Sequence, residues 1–229
     1  MRIGFVGNEP AGPVLLKAWA QAGHEAIGAF VDSAEAAERL EALLPGLPMA
    51  PMAAVAEDAD LLLLAVPDAD VELVCDGLTD LGLFGPKKLI VHLSPIRGYG
   101  ALSSAAQLGA VPIALHPVMH FTGTSVDLMV LKNSTIAVSA PEVLLPIAQA
   151  LAIELGGEPI VVQEHQRASY AEAFEVASHF SSLVVQQAMG ILEQAEVQDP
   201  AKLIGPVVRS AVEKALYKPT PGLSPEDLI

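Results

Sequence analysis

The chain has 229 residues, with 12 Lys and Arg against 27 Asp and Glu, for a formal net charge of -15. Such an excess of carboxylates argues against DNA, RNA or an anionic membrane as the main partner, because binding those needs concentrated positive charge. The single cysteine, Cys75, leaves no intrachain disulfide and no cysteine-rich zinc site, and the expectation is a cytoplasmic globular protein without a signal peptide or a membrane span.

Short apolar runs alternate with helical patterns over the first 140 residues. Ile3 to Val6 reads as a strand closed by Gly7, and Pro10 to Ala22 as a helix with proline in its first turn and Gly23 at its end. Ala26 to Val31 is a second strand, after which Ser33 caps a helix running to about Leu44. Leu61 to Val66 reads as a buried strand of four leucines, alanine and valine stopped by Pro67. Cys75 falls on a helix with Leu73, Val74 and Leu78 and reads as core. Lys88 to Leu93 and Val111 to Leu115 are further strands, and Thr135 to Val138 adds an edge strand. This alternation implies βαβ units and a buried, mostly parallel sheet.

Beyond Pro141 the pattern changes. Glu142 to Leu155 is helical and stops at Gly156-Gly157, and a short strand follows at Pro159 to Val162. One long helix is expected from about Glu164 to Ala195, a second from Pro200 to about Tyr217, and a loosely ordered tail over Lys218 to Ile229. The expected domains are therefore residues 1–140, α/β, and residues 141–229, smaller and helical.

Strand, Gly7, loop, Gly12, helix is the layout of a dinucleotide-binding turn, matching G-x-G-x-x-G at its first and third glycines. Gly7, Asn8, Ala11 and Gly12 would cradle a pyrophosphate at the helix N-terminus. Asp32, 25 residues after Gly7, would with Ser33 meet the adenosine ribose. Asp32 favours NAD over NADP, since it repels a 2′-phosphate and no Lys or Arg lies between Lys17 and Arg39 to receive one. Glu9 takes the place of the middle glycine, where the backbone must approach the phosphates. Two like charges ~4 Å apart at an effective dielectric near 20 repel by about 4 kcal/mol.

Read together, "RIGFVGNEPAG", "ADLLLLAVPDADVELV", "LIVHLSP", "ALHPVMHF" and "ASYAEAFEVASHFSSLVVQQA" resemble the Rossmann-like oxidoreductases with a C-terminal DUF2520-type helical domain. These are distant relatives of pyrroline-5-carboxylate reductase, ketopantoate reductase and F420-dependent NADP reductase. The resemblance spans nearly the whole chain. It implies a Rossmann-like domain followed by an all-helical domain like that of 6-phosphogluconate dehydrogenase. It also implies a nicotinamide cofactor, a small-molecule substrate in the cleft and a homodimer through the C-terminal helices. Ala65, Val66 and Pro67 would line the nicotinamide side with Ser94, and His116, Tyr170 and Ser178 match family positions. Departures are Glu9 for glycine, Pro95 where glycine is usual, Ala171 where histidine is usual and His179 where asparagine is usual. The chain also ends soon after the second long helix, where the family normally continues.

On the long helix, Glu172, Glu175, His179, Ser182 and Gln186 fall on one polar stripe. Glu175, four residues before His179, is placed to pair with it and raise its pKa, making His179 a candidate proton donor. His116 and His120 could suggest a metal pair, but Pro117 breaks the helix between them and no third ligand is near. His92, inside a strand, reads as a satisfied core histidine. The function expected is an NAD(P)-dependent oxidoreductase moving hydride to or from a small carbonyl, imine or hydroxy compound. The alternative is a degenerate, cofactor-free dimer with a binding or regulatory role.

Overall fold

The computed structural model describes residues 1–217, and the expected loose tail at 218–229 lies outside the described residues. Residues Met1–Ala171 form one compact unit built on a seven-stranded sheet, and a second unit begins at Glu172. In chain order the strands are β1 (Arg2–Val6), β2 (Glu25–Phe30), β3 (Leu61–Leu64), β4 (Leu89–His92), β5 (Val111–Pro117), β6 (Thr135–Ser139) and β7 (Glu158–Val161). The spatial order is β2-β1-β3-β4-β5-β6-β7, with every pairing parallel except β5 with β6.

Period-two alternation explains the layering. Ile3, Phe5, Leu61 and Leu63 enter the apolar cluster on one face, while Val6, Leu62 and Leu64 enter the cluster on the other. All four leucines of β3 are fully buried, each stabilising the fold by about 2 kcal/mol. Trp19 anchors the first face, donating its indole N–H to the Leu151 carbonyl at 3.1 Å. This joins α1 (Ala11–Gln21) to the helix Leu145–Glu154 that lies between β6 and β7.

The strand predictions hold within a residue or two, with two informative differences. β3 stops at Leu64, because Ala65 and Val66 leave the ladder to form the loop beside Gly7. β6 is not an edge strand: the short strand after Gly156-Gly157 pairs with it in parallel and becomes the edge. The expected division near residue 140 therefore falls within the first compact unit, between two strands of one sheet.

Four short helices escaped the periodicity reading or were only partly seen. They are α3 (Met52–Asp58), α4 (Val71–Asp80), α5 (Ser103–Gln107) and α6 (Asp127–Leu131), with α2 (Ala34–Leu43) before them and α7 (Leu145–Glu154) after. At five to ten residues most offer too few turns for an amphipathic period to emerge. The expected long helix is helical from Glu164 to Gln194 but not uniform. A 3-10 turn leads into α8 (Arg167–Glu175), a π-helical stretch spans Val176–Phe180, and α9 (Ser181–Gln194) continues. The second, α10, is Pro200–Tyr217.

Candidate functional site

The β1–α1 turn is built as the glycine spacing predicts. Gly7 has φ +128°, and a Cβ there would lie 2.0 Å from the Ala65 carbonyl oxygen. Its N–H donates to the Phe30 carbonyl at 3.0 Å, and the Glu9 N–H donates to the Ala65 carbonyl at 3.0 Å. Gly12 lets α1 approach the sheet, since a Cβ there would meet the Phe5 ring at 2.1 Å. Gly12 is thus a packing glycine under the helix and lines neither cavity described next.

Two cavities open over the C-terminal ends of the strands, where open α/β sheets bind ligands. One, of about 260 Å³, is lined by Gly7, Asn8, Asp32 and a largely apolar wall including Phe30, Met52 and Leu73. The Asn8 amide donates to the Asp32 carboxylate, and the Asp32 N–H donates to Asn8 Oδ1 at 3.1 Å. Ser33 caps α2, its hydroxyl accepting from the Ala36 N–H at 3.2 Å. Arg39 folds back from α2, donating to the Asn8 carbonyl at 2.8 Å and pairing with Glu35 at 2.6 Å.

The other cavity, of about 340 Å³, shares Val66 and Pro67 with the first. It brings together Glu9, Ala11, Ala65, Val66, Pro67, Ser94 and His116, seven of the residues singled out from sequence, with Met119 and Phe121. Among the described residues no Lys or Arg lines either cavity, whereas Glu9, Asp68, Asp32 and Asp70 do.

At this second cavity His116, carried on β5, shares a hydrogen bond of 2.7 Å between Nδ1 and the Tyr170 hydroxyl. Burial, reinforced by the Arg167 guanidinium, pulls the His116 pKa down to about 4. Burial also raises the Tyr170 phenol, against the opposing pull of Arg167. At neutral pH both partners are therefore uncharged, and a single proton lies between Oη and Nδ1.

Arg167 is the functional candidate that the sequence reading missed. It is buried, with its guanidinium 5.4 Å from the Tyr170 ring centroid. It donates to Ser139 Oγ at 2.5 Å and to the Pro95 carbonyl at 3.4 Å, and its Nε has no hydrogen-bond partner among the described residues. The signal was available as the three-residue spacing from Tyr170 on a helix. A surface reading hid it, because arginine is rarely buried without a carboxylate.

Ser94 is a turn former as well as a lining residue. Its hydroxyl oxygen accepts from the Ile96 and Arg97 N–H groups at 3.2 and 2.9 Å. Its own N–H donates to His92 Nδ1 at 3.2 Å, while His92 Nε2 meets the Gly98 carbonyl at 2.9 Å. His92 is thus the satisfied core histidine expected, and burial holds it at about pKa 4.

Ser178 and His179 belong to the second unit, on the π-helical stretch. The Ser178 hydroxyl donates to the Phe174 carbonyl at 2.8 Å within its own helix. Among the described residues no Glu175–His179 ion pair is present; His179 packs edge-on against Phe180, with ring centroids 5.8 Å apart. A π turn takes more residues per revolution than an α turn. Side chains four apart therefore no longer stack, and the predicted polar stripe is broken at that point.

Residues 1–117 match the Rossmann-like domain family, and residues 134–223 match a domain of unknown function, DUF2520. No curated protein matches the chain. Among solved structures, an imine reductase from a Pseudomonas species is 18% identical with a TM-score of 0.71, over 94% of this chain and 75% of that one. A pyrroline-5-carboxylate reductase from Coxiella burnetii is 19% identical with a TM-score of 0.62, over 95% and 80% respectively. A V8 variant of the Myxococcus stipitatus imine reductase, in complex with NAD+, is 20% identical with a TM-score of 0.63, over 94% and 75%. At these identities the likeness is one of fold, a fold that this chain shares with reductases and dehydrogenases.

Proposed function

Because the chain belongs to the Rossmann-like family with a DUF2520 domain, we propose that it is an NAD-dependent oxidoreductase of a small carbonyl, imine or hydroxy compound. The observation that carries this reading is the uncharged His116–Tyr170 pair at the cavity beside the glycine turn.

The residues present fit the two nucleoside ends of a dinucleotide. Asn8 and Asp32 would hold the adenosine ribose, with the apolar wall of the smaller cavity against the base. Asp32 disfavours a 2′-phosphate, and Arg39 is already paired with Glu35. Ala65, Val66, Pro67 and Ser94 would line the nicotinamide side. When bound, the cofactor supplies or accepts the hydride.

The chain's own residues handle the proton. A neutral imidazole is a poor acid by itself, since losing its proton would leave an imidazolate. The hydrogen bond to Tyr170 removes that obstacle: as His116 gives a proton to the substrate oxygen or nitrogen, Nδ1 takes the phenolic proton. The resulting phenolate lies beside the Arg167 guanidinium, which stabilises it. His179, the donor expected from helix spacing, has no part in this relay.

The helices beyond Glu172 support a homodimer. No residue of α9 or α10 is buried among those described, and Phe180, Val184, Ile191, Val207 and Val212 are exposed. Phe180, Val184, Ala188, Val208 and Val212 line a groove of about 380 Å³. Apolar helix faces of this extent gain stability by covering one another, and a second copy supplies a matching face.

Calorimetric titration with NAD, NADH, NADP and NADPH tests the cofactor. NADH should bind more tightly than NADPH, and Glu9→Gly should tighten NADH binding by removing a like charge. Absence of binding at millimolar concentrations in both proteins refutes the reading. One observation favours the cofactor-free alternative: the start of α1 is poor in donors. Pro10 and Pro13 carry no N–H, and the Gly12 N–H is taken by the Glu9 carbonyl at 3.1 Å.

A further inference from the structure

The connection from β5 to α6, residues 118–126, is not a free surface loop. It crosses the beginning of α1. Gly123 has φ +75°, and a Cβ there would lie 3.3 Å from Pro10 Cβ and 2.6 Å from Arg39 Cδ. Pro10 is the residue that opens α1, the place where an anion would meet the helix N-terminus. Met119 and Phe121 of the same connection line the cavity together with Glu9 and Ala11.

This segment is braced. Asp127 is buried, and its carboxylate accepts from the Thr122 N–H at 2.8 Å, the Thr122 hydroxyl at 2.9 Å and the Gly123 N–H at 2.8 Å. A carboxylate engaged by three donors holds the turn in one shape. Against α1, by contrast, Gly123 offers only close packing, which its missing side chain permits. Asp127 belongs to α6, outside the turn, so raising the turn away from α1 loosens the bonds to its carboxylate.

We propose that residues 118–126 form a strap over the diphosphate position, and that a dinucleotide binds only to the state in which the strap is raised. Asp127 acts as a positioning residue that sets the strap's shape. Glu9 beneath it adds charge repulsion to the steric block. The inference rests on the dinucleotide reading above. It makes the occupancy of the site adjustable: a strap raised one-tenth of the time weakens apparent affinity about tenfold.

The test is calorimetric NADH binding to the full chain, with amide hydrogen exchange over residues 118–126 measured in parallel. Two variants act on the strap. Asp127→Asn weakens the brace, and Gly123→Ala strains the turn at φ +75° and forces a Cβ into Arg39. Both should raise NADH affinity about tenfold and speed exchange in the strap, and NADH should speed exchange there in the wild type. Tight wild-type binding that neither variant changes, or binding that the variants weaken, overturns the strap and leaves the dinucleotide reading standing. Failure of the wild type, both variants and Glu9→Gly to bind NADH at all overturns both.

Discussion

Lowering the pH should destabilise this protein through two histidines, and the size of the effect follows from their burial. In the unfolded chain an imidazole takes its proton near pH 6.5, whereas His92 and His116 resist protonation in the folded chain until about pH 4. Between those values the unfolded state binds more protons, so stability rises with pH across that window. It is fully present above about pH 6.5 and is lost as the pH falls towards 4. Each tenfold in proton affinity is about 1.4 kcal/mol, so each histidine contributes about 2.5 kcal/mol of loss by pH 4.5. Urea unfolding at pH 7 and pH 4.5, for wild type and His116→Gln, isolates one of them. Glutamine keeps a polar side chain but cannot titrate. The stability gap between the two proteins should move by about 2.5 kcal/mol in favour of the variant at the lower pH. Parallel pH curves would mean that His116 titrates as an ordinary exposed imidazole, and the neutral relay to Tyr170 would lose its basis.

Tyr170→Phe should lower the turnover of any substrate found by roughly 100-fold, the ordinary contribution of a positioned proton donor, with little change in NADH affinity. A loss confined to KM would place Tyr170 in binding instead. The rate of the wild type should show no inflection near pH 6.5, because His116 is already neutral there; a break at that pH would point to another histidine. Gly12→Ala should destabilise the fold by about 1–3 kcal/mol in thermal or urea unfolding, since its Cβ would meet the Phe5 ring at 2.1 Å. Val184→Glu should convert a dimer to a monomer in light scattering, and an unchanged mass would put the interface elsewhere.

How much of the site could be read in advance depended on how local its signals were. Gly7, Gly12 and Asp32 sit at fixed offsets in one βαβ unit, and the structure gives the two glycines the backbone roles that their spacing implies. Ser94 and His116 follow strands whose apolar runs were plain, so their place at the C-terminal edge followed from the topology. Family resemblance singles out both Tyr170 and His116, but not their pairing. The bond to His116 joins residues 54 apart, and no periodicity encodes it. The pairing of Glu175 with His179 follows from a four-residue rule that assumes an uninterrupted α-helix, and the π turn breaks that register.

The burial pattern carried the α/β architecture unaided. Alternation in period two and the four leucines of β3 can be satisfied only by a sheet covered on both faces. The excess of carboxylates was equally visible in the composition. Folding decided what those carboxylates and their neighbours face. Glu9 lines the cavity at the start of α1, Arg167 is buried beneath Tyr170 with no ion pair to a carboxylate among the described residues, and Gly123 arrives over Pro10 from more than a hundred residues away. These juxtapositions arise where separate βα connections converge at one edge of the sheet. The charge state of His116 is set by that convergence, through burial and a cation supplied by a distant helix, and it determines which proton the site can deliver.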